Sequence, residues 1–220
     1  MIHPVQLPEE TEVYLRQIVD LQIGILECVV DLSPNFCLSD LQASLAKRRE
    51  FKDRAEVVAK WIETHPSIRK SLQAFAEDPV PIEDKRKLAE QMRRDIQRLY
   101  QGYCDETLEY HFPQTQPIAD YERAAREFLL AFYEQLQCGF DKSLFTENPA
   151  KYDRFGRQQF LAACRDSWPR VCVICDTHSP TEIVRGEHRG NIEHYFPKSI
   201  YPHLSCHPYN LLPICSQCNQ

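Results

Sequence analysis

The chain has 220 residues, 43% of them hydrophobic, and a formal net charge of −6. That supports a real core in one large domain or, as read here, two. It leaves no stretch near the ~18 apolar residues of a membrane span, because the longest, Leu21–Leu32, is broken by Gln22, Gly24, Glu27 and Asp31. The acidic balance disfavours unaided, tight, non-specific binding to nucleic acid, which would need local basic patches or a basic partner.

Met1-Ile2-His3-Pro4 lacks a basic region ahead of an apolar core, so no secretory leader is expected. From about residue 9 to 165 the chain reads as helices. Ser39-Asp40-Leu41-Gln42 forms a capping box that predicts one long helical run ending near Thr64-His65-Pro66. Pro66 can open the next helix, which ends at Asp78-Pro79. Pro81-Ile82-Glu83-Asp84 puts a proline and acids at another helix start, followed by Leu88, Met92, Ile96 and Leu99 at helical spacing. Gln116-Pro117-Ile118-Ala119-Asp120 predicts a helix with Ala124, Phe128, Leu129, Phe132 and Leu136 on one face and a stop at Gly139. A last short helix is predicted over Phe155–Trp168, ended by Pro169. Phe128, Phe132 and Tyr133 read as core rather than as a base-stacking platform. The basic runs Lys47, Arg48, Arg49, Lys52, Arg54 and Lys85, Arg86, Lys87, Arg93, Arg94, Arg98 are interleaved with acids and read as solvated helix faces.

From Arg170 onward cysteines, histidines, prolines and turn residues replace helical periodicity. The boundary divides the chain into a helical domain, 1–167, and a small module, 168–220. Val171–Cys175 reads as a strand turning into a knuckle, Asn191–Phe196 as a second strand, and the apolar run after Asn210 as another. Of the ten cysteines, Cys28, Cys37, Cys104, Cys138, Cys164 and Cys206 are scattered. They read as reduced, mostly buried small hydrophobes of a cytoplasmic protein. Cys172/Cys175 and Cys215/Cys218 form two Cys-x-x-Cys pairs, the spacing of a closed, structural tetrahedral zinc site.

Residues 176–214, tied at their neck by those pairs, hold Glu193-His194, Pro197-Lys198-Ser199 and Asn210-Leu211, with Asn219 just beyond. Phosphodiester hydrolysis needs a base that ionises near neutrality, which histidine supplies, and a hard cation held by oxygen ligands. In a regular strand Glu193 and His194 would point to opposite faces, so a twist or bulge before Pro197 is expected if both address one phosphate. His178, His188, His203 and His207 read as solvated or hydrogen-bonded loop histidines. Arg185, Arg189 and Lys198 are either phosphate contacts or ordinary surface charge.

The ordered set Cys172/Cys175, Glu193-His194, Pro197-x-Ser199, Asn210-Leu211 and Cys215/Cys218-Asn219 resembles the HNH (His-Me finger, ββα-metal) endonuclease family over about the last quarter of the chain. The resemblance implies a mainly α protein, its all-helical domain followed by a zinc-bound ββα module. It implies His194 as general base, Glu193 and Asn219 as ligands of one Mg²⁺ or Mn²⁺, Asn210 orienting the loop or His194, and the four cysteines on structural Zn²⁺. Glu193 stands where many relatives have Asp, and its longer arm should still reach. Only Gln220 follows Asn219, so the module's final helix is expected to be truncated and the 220-residue form to cleave little. Helical extensions on HNH modules resemble effector subunits of bacterial anti-phage defence systems, which act beside an ATPase subunit. DNA is the first expected substrate, RNA the second. The alternative is a zinc-stabilised adaptor that binds nucleic acid or protein without cutting.

Overall fold

Helix α1 (Glu9–Val30) is apolar nearly all round, and a helix of that kind belongs inside a protein. Every residue from Leu21 to Leu26 is buried. Around it lie α2 (Leu38–Ala46), α4 (Pro66–Glu77), α5 (Ile82–Tyr100), α6 (Asp120–Cys138) and α7 (Arg157–Asp166), all in contact with it, while α3 (Ala55–Glu63) packs on α2 and α4. The computed structural model describes residues 5–32, 35–102, 108–113, 117–145, 152–166, 171–176, 178–185 and 187–219. Met1–Pro4, Cys104, Gln116, Trp168, Pro169, Arg170 and Gln220, and the side chains of His188 and Arg189, lie outside the described residues. The chain is mainly helical, and no described helix is long and apolar enough to cross a membrane.

Several boundaries follow the punctuation of the sequence. Pro66 opens α4 and Asp78 caps its end. Leu88, Met92, Ile96 and Leu99 are the buried stripe of α5. Gly139 ends α6 with φ +93°, a left-handed conformation that costs glycine little.

Others depart from it. The long helix expected after Ser39 is two helices. Cys37, not Ser39, is the N-cap: its N–H donates to the Asp40 carboxylate at 2.9 Å and its thiol to the same group at 3.0 Å. The chain then leaves the helix over residues 47–54, which buries Phe51 completely and sends the Arg54 guanidinium inward to the carbonyls of Glu50 and Leu144. Tertiary burial overrides local helix propensity there. Helix α6 begins at Asp120 rather than 116, and α7 at Arg157 rather than Phe155. Phe155 belongs instead to a two-residue strand, β2 (Arg154–Phe155), paired with β1 (Phe140–Asp141). Its ring stacks on Tyr14, centroids 4.6 Å apart.

The basic runs are not simply solvated faces. Arg48 and Arg93 both pair with Glu27, Arg94 and Arg98 with Glu109, and Arg86 with Asp31. Lys85 is buried and donates to the carbonyls of Ala76 and Asp78, capping the end of α4. Tertiary neighbours supplied the partners that a helix-face reading cannot see.

The C-terminal segment forms a three-stranded antiparallel sheet in the order β3 (Thr181–Val184), β4 (Glu187–His194), β5 (Leu211–Ile214). Strand β3 was not foreseen, β4 begins before Asn191, and Val171–Cys175 is a bend and turn rather than a strand. Glycine is required at 190, where a Cβ would meet the Pro180 carbonyl oxygen at 2.4 Å. Ile192, Leu204, Cys206 and Leu211 join the core that fills the helices. A second, small cluster gathers Cys172, Val173, Leu212, Ile214 and Cys215.

Candidate metal centre and histidine loop

The two Cys-x-x-Cys turns meet at the second cluster. The sulfurs of Cys172, Cys175, Cys215 and Cys218 lie within 4.8 Å of one another. Among the described residues no other group of three or more His, Cys, Asp or Glu side chains is so placed. Four sulfurs at ~2.3 Å from a tetrahedral zinc stand ~3.8 Å apart, and Cys175 Sγ is 3.8 Å from Cys215 Sγ. The turns also aim main-chain donors at sulfur: Cys215 N–H lies 3.4 Å from Cys172 Sγ. Burial opposes ionisation of Cys172, but N–H groups of Cys215, Ile174 and Cys175 outweigh it and hold the thiol below its usual value. Burial and hydrogen bonds among the thiols push Cys218 up to about 12. Four thiolates so close repel one another unless a cation stands between them. The quartet therefore suits a structural metal such as zinc.

The chain between β4 and β5 is held differently. Asn210 is fully buried, and its side-chain amide clips the loop shut. Its Oδ1 accepts from Phe196 N–H at 2.6 Å, and its Nδ2 donates to the carbonyls of Phe196 at 3.1 Å and Leu204 at 2.8 Å. These bonds run to the loop, and among the described residues none of them reaches His194.

His203 and His207 are not solvated. Both are wholly buried and fasten this loop to α5. His203 Nε2 lies 3.3 Å from Asp95, whose carboxylate also accepts from Glu109 and Tyr110 N–H. Burial lowers the His203 pKa although Asp95 opposes it. His207 Nδ1 accepts from Tyr209 N–H at 3.2 Å, and its ring packs on Tyr100 with centroids 4.1 Å apart. Burial, with Arg16 and His203 acting in the same direction, pushes His207 down to about 3. Sequence reasoning missed these partners, since Asp95 and Tyr100 lie more than a hundred residues upstream on α5.

His194 ends β4 opposite Leu211, and Glu193 pairs with Leu212. Strand alternation holds to the end, leaving Glu193 exposed and His194 half-buried. Among the described residues Glu193 makes no ion pair or side-chain hydrogen bond. His194 Nε2 lies 3.1 Å from the Ser205 carbonyl oxygen. A carbonyl only accepts, so Nε2 carries the proton and Nδ1 keeps the lone pair. Burial pushes the imidazole down to about 4, with the Lys198 charge adding to the effect and the Ser205 carbonyl opposing it. The ring is therefore neutral at physiological pH, and burial makes it a weaker base than the ordinary histidine, ionising near neutrality, that the sequence led one to expect.

Its neighbour is Tyr133 of α6, ring centroids 4.7 Å apart. Tyr133 is core, as expected, and also forms a wall of this site, which no local signal revealed. Asn219 is exposed in a turn after Cys218. Arg185 is exposed with φ +54° in the turn between β3 and β4, whereas Lys198 faces the site. A cleft of about 500 Å³ lies between Arg157, Ser179, Glu182, Asn191 and Ser216, and neither Glu193 nor His194 lines it.

No protein-family model, curated protein or solved structure matches this chain.

Proposed function

We propose that the C-terminal segment is a divalent-metal-dependent endonuclease module of the HNH type, carried on a helical domain (residues 1–167 and 168–220), with DNA as its first substrate. The observation that carries the reading is the geometry at His194. Its Nε2 is engaged by the Ser205 carbonyl, which leaves Nδ1, with no hydrogen-bond partner among the described residues, as the atom that can take a proton from water. Its loop is clamped by a fully buried asparagine at the position the HNH pattern requires. A water at Nδ1 would lose its proton to His194 as its oxygen attacks phosphorus and the bond to the leaving oxygen breaks.

The donors fit the two metals differently. The four cysteines suit a structural zinc with no open position. Glu193 and Asn219 offer hard oxygens of the kind Mg²⁺ or Mn²⁺ takes, but Glu193 stands opposite Leu212 while Asn219 lies beyond the knuckle that follows β5, so a cation shared by the two rests on the resemblance alone. When bound, that cation would neutralise charge building on the phosphate oxygens. The net charge of −6 favours a second protein, such as an ATPase subunit of an anti-phage system in the cytoplasm, as the part that grips nucleic acid. The same charge, with only two oxygen donors to hold Mg²⁺, is what favours the non-cutting adaptor.

Metal-dependent cleavage separates the two readings. The zinc-loaded protein, incubated with supercoiled plasmid or RNA, should cut with Mg²⁺ or Mn²⁺, only weakly as residues 1–220 and faster in a form extended past Gln220, and should stop on their removal while zinc stays bound. Binding without cutting under all these conditions would favour the adaptor.

A further inference from the structure

His194 and Lys198 lie four residues apart in the C-terminal segment, yet they meet on a ring supplied by the helical part of the chain. Tyr133, near the end of α6, is 8% exposed. The His194 imidazole packs against it at an interplanar angle of 65°. The Lys198 ammonium stands 4.2 Å from the centroid of the same ring. The Tyr133 hydroxyl reaches toward the Ile192 carbonyl in β4, but at 3.5 Å that contact is weak. The ring, rather than the hydroxyl, therefore does most of the holding.

Each contact has a physical basis. An aromatic ring accepts a tilted neighbour edge to face and attracts a cation to its face. One hydrogen bond from Nε2 to Ser205 leaves the imidazole free to turn about that bond, and a packed wall removes that freedom. An exposed lysine samples many rotamers, and a cation–π contact narrows them.

We infer that Tyr133 is a positioning residue: one aromatic platform, contributed by α6, holds His194 Nδ1 and Lys198 Nζ so that the base and a phosphate-binding cation address the same phosphodiester. The inference rests on the function proposed above, with Lys198 as the phosphate contact. It also gives the helical part a share in the chemistry that its own sequence does not announce.

The test uses the zinc-loaded, full-length protein and compares wild type with Tyr133→Phe, Tyr133→Leu, Tyr133→Met and Lys198→Gln. One readout is steady-state cleavage of a DNA duplex with Mg²⁺, resolved into kcat and KM. The other is the nitrogen NMR signature of the His194 imidazole, which reports its tautomer without any turnover. Tyr133→Phe should keep the Nε2–H tautomer and a kcat within about threefold of wild type. Tyr133→Leu and Tyr133→Met should mix the tautomers and lower kcat by about tenfold to a hundredfold with little change in KM, as small misplacements of a reacting group do. Lys198→Gln should raise KM and leave the tautomer alone.

Unchanged kcat and tautomer in the Leu or Met variant overturns the inference, and the Met variant decides if the Leu variant does not fold. A Phe variant as impaired as Leu also overturns it, because the hydroxyl would then be responsible. If the wild type fails to cut, or cuts equally well as His194→Ala, the proposed function falls. The tautomer comparison still decides whether Tyr133 positions His194.

Discussion

The two ends of the C-terminal sheet are held by opposite means. At the knuckle end, among the described residues, the four cysteines share a small cluster with Val173, Leu212 and Ile214, and Val5 packs against it. At the loop end, Asn210, His203 and His207 are completely buried, and Leu204, Cys206 and Leu211 belong to the large core shared with the helices. The first region has little apolar area of its own, and its four close sulfurs suit a metal that would close it. The second is buried in an existing core, with its loop held by the hydrogen-bonded side-chain amide of Asn210. His194 lies at the loop end, its ring against Tyr133 of α6, with the cysteine quartet at the other end of the sheet.

Metal removal is the harshest way to break that contrast. Chelation, or Cys215→Ser, should abolish ordered structure around the knuckles, since structural zinc contributes ~10 kcal/mol or more to such folds. Helical circular dichroism should barely change. Loss of helix signal in parallel with zinc would show that the two regions do not fold separately. Asn210→Ala should act in the opposite sense. It removes three side-chain hydrogen bonds from a site with no access to water, which should cost about 3 kcal/mol or more in denaturant unfolding while zinc content stays at one per chain. Reduced zinc content in that variant would erase the distinction.

The smallest effect is a pH dependence confined to the loop end. His207 ionises well below its unfolded value, so the unfolded chain binds the proton first. Stability is then fully present above pH ~6.5 and falls as pH drops from there toward 3. Between pH ~6.5 and 5 the loss from this group should approach ~2 kcal/mol, at 1.36 kcal/mol per pH unit. In His207→Asn, whose amide can still accept from Tyr209 N–H, the slope should flatten. Equal slopes in the two proteins would mean that His207 is not the group responsible.

Sequence alone carried different parts of this picture with different success. The cysteine quartet was legible because its members sit in two local pairs. Strand β5 and the placing of Asn210 ahead of it were legible from a short apolar run. Helices α4 and α5 announced themselves through Pro66, Pro81 and a regular apolar stripe. What stayed hidden was tertiary. The break between α2 and α3 exists because Phe51 and Arg54 turn inward, and strand β3 has too little periodicity in four residues to be seen. His203 and His207 read as loop histidines because their partners, Asp95 and Tyr100, are on a distant helix. Tyr133 read as core and is core, but its second role depends on which side chain rests against it.

The central claim is that His194 acts as a base in phosphodiester cleavage, and its most direct test is His194→Ala in the zinc-loaded, full-length protein. The variant should keep one zinc and the wild-type unfolding curve, and its Mg²⁺-dependent cleavage rate should fall by about a hundredfold or more, the usual worth of a general base. Cleavage at the wild-type rate by a folded, zinc-bound His194→Ala protein would contradict the account.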